Sequence, residues 1–149
     1  MRHNELEEAI VKYIKINKNF NTSDLCLSSD EIHGNEQIIA EVHGITQHCR
    51  PDVIAYNFFG EKFHIFGEAK TSNDFFAKDQ ESVNRHNRQI NVMLNALKVK
   101  RNKKKYLIYA CEVQCRNEVE LMLNNKKKEF DADDVDIIIL DQIHNSNLF

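Results

Sequence analysis

The sequence predicts a mixed α/β domain, and three observations carry that expectation. Apolar residues recur at helical spacing near the start and again across residues 74–98. Short runs of strand formers lie between them, and a strand, helix, strand pattern follows. At 149 residues the chain is the size of one domain, 1–149, with a central mixed sheet expected between flanking helices.

Leu6, Ala9, Ile10, Tyr13 and Ile14 lie at helical spacing, and Asn4 followed by Glu7 has the form of a capping box, so a helix is expected over about residues 5–17. Residues 18–35 are rich in Asn, Ser, Asp and Gly and read as a connection, before a strand over 37–45. The apolar runs 52–57 and 62–69 flank Phe58-Phe59-Gly60-Glu61 and read as a β-hairpin with Gly60 in its turn. Residues 74–98 contain no Gly or Pro and carry Val83, Ile90, Met93, Leu94 and Leu97, as a long helix would. A strand over 105–111, a helix over 117–123 and a strand over 135–140 complete the order, so that an antiparallel hairpin feeds a crossover unit.

Composition excludes several classes. No run approaches the roughly 20 apolar residues that cross a bilayer, and Met1-Arg2-His3-Asn4 lacks the apolar core of an export signal, so a cytoplasmic protein with no membrane partner is expected. In that setting Cys26, Cys49, Cys111 and Cys115 read as reduced thiols. A zinc site from Cys26, His43, His48 and Cys49 lacks the close Cys-x-x-Cys pair that would support it. The net charge of −3 argues against a protein that coats nucleic acid, yet Lys98, Lys100, Arg101, Lys103, Lys104 and Lys105 form one basic block and Lys126, Lys127 and Lys128 a second.

The chemistry concentrates in Arg50-Pro51-Asp52 and Phe66-Gly67-Glu68-Ala69-Lys70. Residues equidistant from a hairpin turn face one another, and Asp52 and Glu68 are equally far from Gly60, so a turn centred there brings the two carboxylates together. Side chains alternate along a strand, so Glu68 and Lys70 project to one side. Singly, Asp52 reads as a turn residue and Glu68 with Lys70 as a surface ion pair. Jointly, two acids and a lysine at the end of an apolar ribbon point to a divalent cation, because close carboxylates repel in a shielded site and a hard cation relieves the repulsion. Mg²⁺ is the natural guest, with Mn²⁺ expected to substitute, and either would polarise a phosphoryl oxygen and help generate hydroxide. Lys70 would orient or help deprotonate the attacking water, or neutralise charge building on the phosphate.

Pro51-Asp52 and Glu68-Ala69-Lys70 resemble the motif of the PD-(D/E)xK nuclease superfamily, which includes type II restriction enzymes and archaeal Holliday junction resolvases. The likeness covers roughly residues 5–111 and extends to the order of elements, a helix before three strands with the motif on the second and third. It implies a restriction-endonuclease-like core, Asp52 and Glu68 as metal ligands, the Ala69 carbonyl as a further ligand and Lys70 as the catalytic lysine. It also implies a carboxylate from the first helix, with Glu8 foremost and Glu5 in reserve, and a Gln from the following helix, Gln89 or Gln80.

Lys78, Arg85 and Arg88, together with Lys100, Arg101 and Lys103, are candidate contacts to DNA phosphates. Among His43, His48 and His64, only His64 shares the Glu68 side of its strand. The reading that follows is a Mg²⁺-dependent endonuclease acting on DNA as a homodimer, on branched DNA or in a restriction or phage-defence role. The alternative is a non-catalytic nucleic-acid-binding or regulatory subunit of a larger nuclease complex.

Overall fold

Strand pairing around the two acids organises the molecule. The structure is a computed structural model that describes residues 1–30, 35–59 and 62–142. Its elements are α1 (His3–Ile16), β1 (Leu25–Ser29), β2 (Ile38–Val42), β3 (Ile45–Cys49), β4 (Val53–Asn57) and β5 (Phe63–Lys70). There follow α2 (Ser72–Phe75), α3 (Gln80–Lys98), β6 (Lys104–Glu112), a 3₁₀ turn (Val113–Cys115), α4 (Arg116–Glu129) and β7 (Val135–Gln142). The main sheet has the order β1-β4-β5-β6-β7. β1 and β5 are antiparallel to β4, whereas β6 and β7 continue parallel to β5. The protein is thus mixed α/β, with a five-stranded mixed sheet flanked by helices. Among the described residues no helix is long and apolar enough to cross a membrane.

The β4–β5 pairing matches Val53 with Gly67 and Tyr56 with His64, the register expected for a hairpin symmetric about position 60. Gly60 itself, and Glu61, lie outside the described residues. One face of the sheet is covered by α1, whose Leu6, Ile10 and Ile14 bury against Val53, Ala55, Ile65, Ala69, Ile108 and Ala110. On the other face Ile90, Met93, Leu94 and Leu97 of α3 join Phe66, Leu107 and Tyr109, with Val119 and Leu123 of α4. Alternation along β5 therefore sends Ile65 and Ala69 to α1, and Phe66, Glu68 and Lys70 to the α3 side or its margin.

Four local expectations need correction. Residues 18–35 contain a strand, β1, which pairs along its length with β4 and lies at one edge of the main sheet among the described residues. The strand expected over 37–45 is the first arm of a separate hairpin, because His43 and Gly44 both take positive φ (52° and 78°) and turn the chain back into β3. The helix expected over 74–98 is broken: Thr71 caps the short α2, and Asp79 starts α3 by accepting from the Ser82 amide at 3.0 Å. The Asn4–Glu7 capping box does not form, since α1 begins two residues earlier, with Arg2 at its N-cap and no side-chain cap.

Close approach of α1 to the hairpin depends on Gly67. A Cβ there would sit 3.0 Å from the Val53 Cβ and 3.1 Å from Ile10 Cγ2, inside ordinary contact distance. Gly67→Ala is expected to lower stability by about 1–3 kcal/mol, the usual cost of overpacking a filled core. Urea unfolding of the two proteins measures this, and an unchanged midpoint would refute the account of the α1 contact.

Candidate active site

Asp52 and Glu68 are brought together where β4 begins and β5 ends. Both are buried, 7% and 1% exposed, and their side chains share a hydrogen bond. The backbone at Asp52 is braced from outside the hairpin: buried Asn35 donates through Nδ2 to the carbonyls of Pro51 at 2.6 Å and Asp52 at 2.8 Å. Asp52 Oδ2 accepts from the Ala69 amide at 2.8 Å and from His3 Nε2 at 3.2 Å. The contact seen at Ala69 is thus through its N–H. Lys70, half-buried on the same side of β5 as Glu68, makes no ion pair among the described residues.

These surroundings separate the two acids electrostatically. Burial pushes the Glu68 carboxyl well above its ordinary value, and the neighbouring Asp52 charge pushes it further. Burial would raise Asp52 as well, but hydrogen bonds from Glu68, His3 and the Ala69 amide outweigh it and hold Asp52 below the usual carboxylate range. Asp52 is therefore the anion, and Glu68 keeps a proton next to it. The hydrogen bond to Asp52 likewise raises His3 above its ordinary value, against the opposing effect of burial. Glu68 Oε2 is buried with no hydrogen-bond partner, as is Gln89 Oε1 on α3.

The first helix supplies Glu7, where the family likeness pointed to Glu8. Glu7 is 2% exposed, in line with Ile10 and Ile14 on the stripe that faces the sheet, and Glu8 faces solvent. His3, Glu7 and Asp52 offer ligand atoms that all lie within 4.8 Å of one another. His3 Nδ1 is 3.7 Å from Glu7 Oε2, so the imidazole bridges the two acids. His3 escaped notice in the sequence because it sits in a polar opening segment. The signal was its spacing: positions 3, 7, 10 and 14 lie on one helical face.

α3 lines the site's other side. The Cys49 thiol donates to the Gln89 carbonyl at 3.7 Å, and burial pushes that thiol up to about 12. Tyr109, paired in register with Glu68, shares a hydrogen bond between its hydroxyl and His86 Nε2 at 2.8 Å. Burial and the Lys70 charge depress His86 to about 4, so it stays neutral.

No family model matches the chain, and no curated protein or solved structure matches it. The site is read from its own geometry.

Other expected residues are dispersed. Arg85 and Arg88 are exposed on α3, while Lys78 is exposed in the connection between α2 and α3. Gln80 is exposed and bonds to Asn84 at 2.7 Å, and Glu5 pairs with Arg2 at 3.2 Å. Lys100, Arg101 and Lys103 belong to the turn between α3 and β6, beside the start of β5, where the Lys104 amide bonds to the Lys62 carbonyl at 2.9 Å. Five residues of β5 separate that end from Glu68, roughly 17 Å at about 3.3 Å per residue. Cys26, His43, His48 and Cys49 form no metal-binding group among the described residues. His43 bonds to Glu129 at 2.9 Å and His48 to Gln37 at 3.1 Å.

The raised Glu68 value has a defined effect on stability. From about pH 4.5, the ordinary value, up to its folded-state value, the folded protein holds a proton that the unfolded chain has lost. Stability of the metal-free protein therefore falls as pH rises through that window. His64 and His86, depressed by burial to about 3 and about 4, act oppositely, because below about pH 6.5 it is the unfolded chain that binds their protons. Glu68→Gln should remove the Glu68 contribution alone and stabilise the metal-free protein at pH 8 by about 1–3 kcal/mol, the range for a buried unsatisfied group. Thermal melts in EDTA across pH test this; a difference between the proteins that does not grow with pH would count against the shared proton.

Proposed function

We propose that the protein is a metal-dependent phosphodiester hydrolase acting on DNA, an endonuclease with a restriction-endonuclease-like core of the PD-(D/E)xK type. One observation carries the reading: two buried carboxyls, Asp52 and Glu68, are held together at the end of a hairpin with Lys70 on the Glu68 side. Such an arrangement costs stability, and the buried Glu68 oxygen without a partner is the donor a cation would satisfy. The donor set that converges is His3, Glu7 and Asp52, with Glu68 hydrogen-bonded to Asp52; its carboxylates suit Mg²⁺, and the His3 nitrogen makes Mn²⁺ an acceptable substitute. When bound, the cation supplies charge for a phosphoryl oxygen and lowers the pKa of water.

The chain's own residues do the rest. Asp52, held anionic by His3 and the Ala69 amide, keeps a ligand in place whether or not Glu68 has released its proton. The Lys70 ammonium stands at the rim, where it can neutralise charge growing on the phosphate or orient the attacking water. Arg85 and Arg88, exposed on α3, suit the phosphates of a duplex. Cutting both strands takes two sites, which a cytoplasmic homodimer would supply.

Cleavage of linear duplex, single-stranded and four-way-junction DNA with Mg²⁺, Mn²⁺ or EDTA tests the proposal. Wild type is expected to cut with metal only. Lys70→Ala should lose about a hundred- to ten-thousandfold in rate, the usual contribution of a positioned acid–base group, and Asp52→Ala should be inactive. Glu7→Gln should weaken Mg²⁺ binding roughly tenfold or more, followed as the metal-induced rise in melting temperature, while Glu8→Gln leaves it unchanged. DNA binding without cleavage under any metal would instead make the protein a non-catalytic binding or regulatory subunit.

A further inference from the structure

The end of the sheet remote from the carboxylates carries a second built feature. After β4 the chain presents Phe58 and Phe59 to solvent, 61% and 72% exposed, in edge-to-face contact with centroids 4.7 Å apart. The backbone that carries them is pinned. Buried Asn57 accepts from the amides of Lys62 and Phe63 at 2.5 and 3.1 Å and donates to the Phe59 carbonyl at 2.5 Å. From the start of β1, the Asp24 carbonyl accepts from the Phe58 amide at 3.0 Å and its carboxylate from the Phe59 amide at 2.7 Å.

Beside the pair lies a recess of about 290 Å³ lined by Tyr56, Phe58, Phe63, His64, Lys100 and Lys103. The Tyr56 and His64 rings stack within 7° of parallel, centroids 5.5 Å apart. Burial, then the charges of Lys100 and Lys103, depress His64 to about 3. The recess therefore combines uncharged planar rings with two cationic side chains. Flat rings beside ammonium groups match an unpaired nucleotide, whose base stacks and whose phosphate pairs with lysine. A bilayer also takes Phe and Lys together, but it needs them on a convex surface, and here the stacked rings lie in a hollow. Glu36 and Glu41 line the adjoining wider groove, which favours phosphates on the Lys100 and Lys103 side.

We propose that Phe58, Phe59 and the Tyr56–His64 stack bind unpaired bases of single-stranded DNA, with Lys100 and Lys103 on its phosphates. In naming DNA with an unpaired segment as substrate, this rests on the hydrolase reading, but the binding itself needs no metal. Four residues of β5 separate His64 from Glu68, roughly 13 Å, or about four stacked nucleotides at 3.4 Å each.

Fluorescence anisotropy of a labelled oligothymidylate in EDTA tests the site. Phe58→Ala/Phe59→Ala, which removes only exposed rings and should leave the circular dichroism unchanged, is expected to weaken binding roughly five- to a hundredfold. Lys103→Ala should reduce the slope of log affinity against log salt by about 0.7, one phosphate contact on a single strand. No binding by wild type, binding indifferent to both variants, or capture of phosphatidylserine vesicles in place of the oligonucleotide would each overturn the proposal. Asp52→Asn keeps the two readings apart. Oligonucleotide binding retained in that variant, with no metal-dependent cutting by wild type, would leave this site standing and remove the hydrolase. Cutting by wild type without oligonucleotide binding would do the reverse.

Discussion

Burying Asp52 and Glu68 side by side obliges one carboxyl to keep its proton unless a cation takes that place, because two like charges in a poorly hydrated site cannot both be stabilised. Much of the surrounding structure serves to decide which one. The Ala69 amide and His3 both favour the anion on Asp52, leaving the proton on Glu68. Those two contacts exist only because β4 and β5 pair in one register and because α1 lies close enough, over Gly67, for its first turn to reach the hairpin. A slip of one residue would send Glu68 into the apolar face beneath α1.

The sheet thereby divides its labours along the strand direction. At the end of β5, buried carboxyls, His3 and Lys70 gather in one place. At the start of β5 and β6, several lysines are structural: buried Lys105 pairs with Asp134 at 2.6 Å, and Lys98 donates to the Phe130 carbonyl at 2.8 Å. Lys126, from the second basic block, donates to Asn91 at 2.7 Å. Such cations tie loops and helix ends to the core.

The β4–β5 hairpin, the first and last helices and the parallel strands β6 and β7 are legible in the sequence because each has a periodic pattern with few competing signals, whereas the break between α2 and α3 is not. The register across Asp52 and Glu68 followed from counting to Gly60. β1 was not legible, since Leu-Cys-Leu-Ser-Ser lies within a stretch of turn formers and becomes a strand through its pairing with β4. Gln89 is held by its backbone carbonyl to the Cys49 thiol, a contact the motif alone could not indicate. Glu7 was hidden by a plausible local role as a capping partner of Asn4, which lost to the tertiary position of the helix. The basic block Lys98–Lys105 was seen as a patch, but its distance from the acids is a property of how α3 returns the chain to the bottom of the sheet. Linear proximity to the motif carried no information about that.

Asn35 gives the arrangement a modular limit. The segment from Pro51 to Lys70 contains both acids and the lysine, and it resembles a self-contained cassette that one might graft onto another scaffold. Its geometry, however, is anchored by an amide side chain sixteen residues upstream of Pro51, itself held by Ser28 Oγ at 2.6 Å and by the Asp30 carboxylate at 3.1 Å. A transplanted hairpin would carry the reactive groups without the braces at Asn35, His3 and Glu7. The smallest portable unit is therefore the whole stretch from α1 through β5, and a chimera built with less would inherit the motif while losing the relative placement of its atoms.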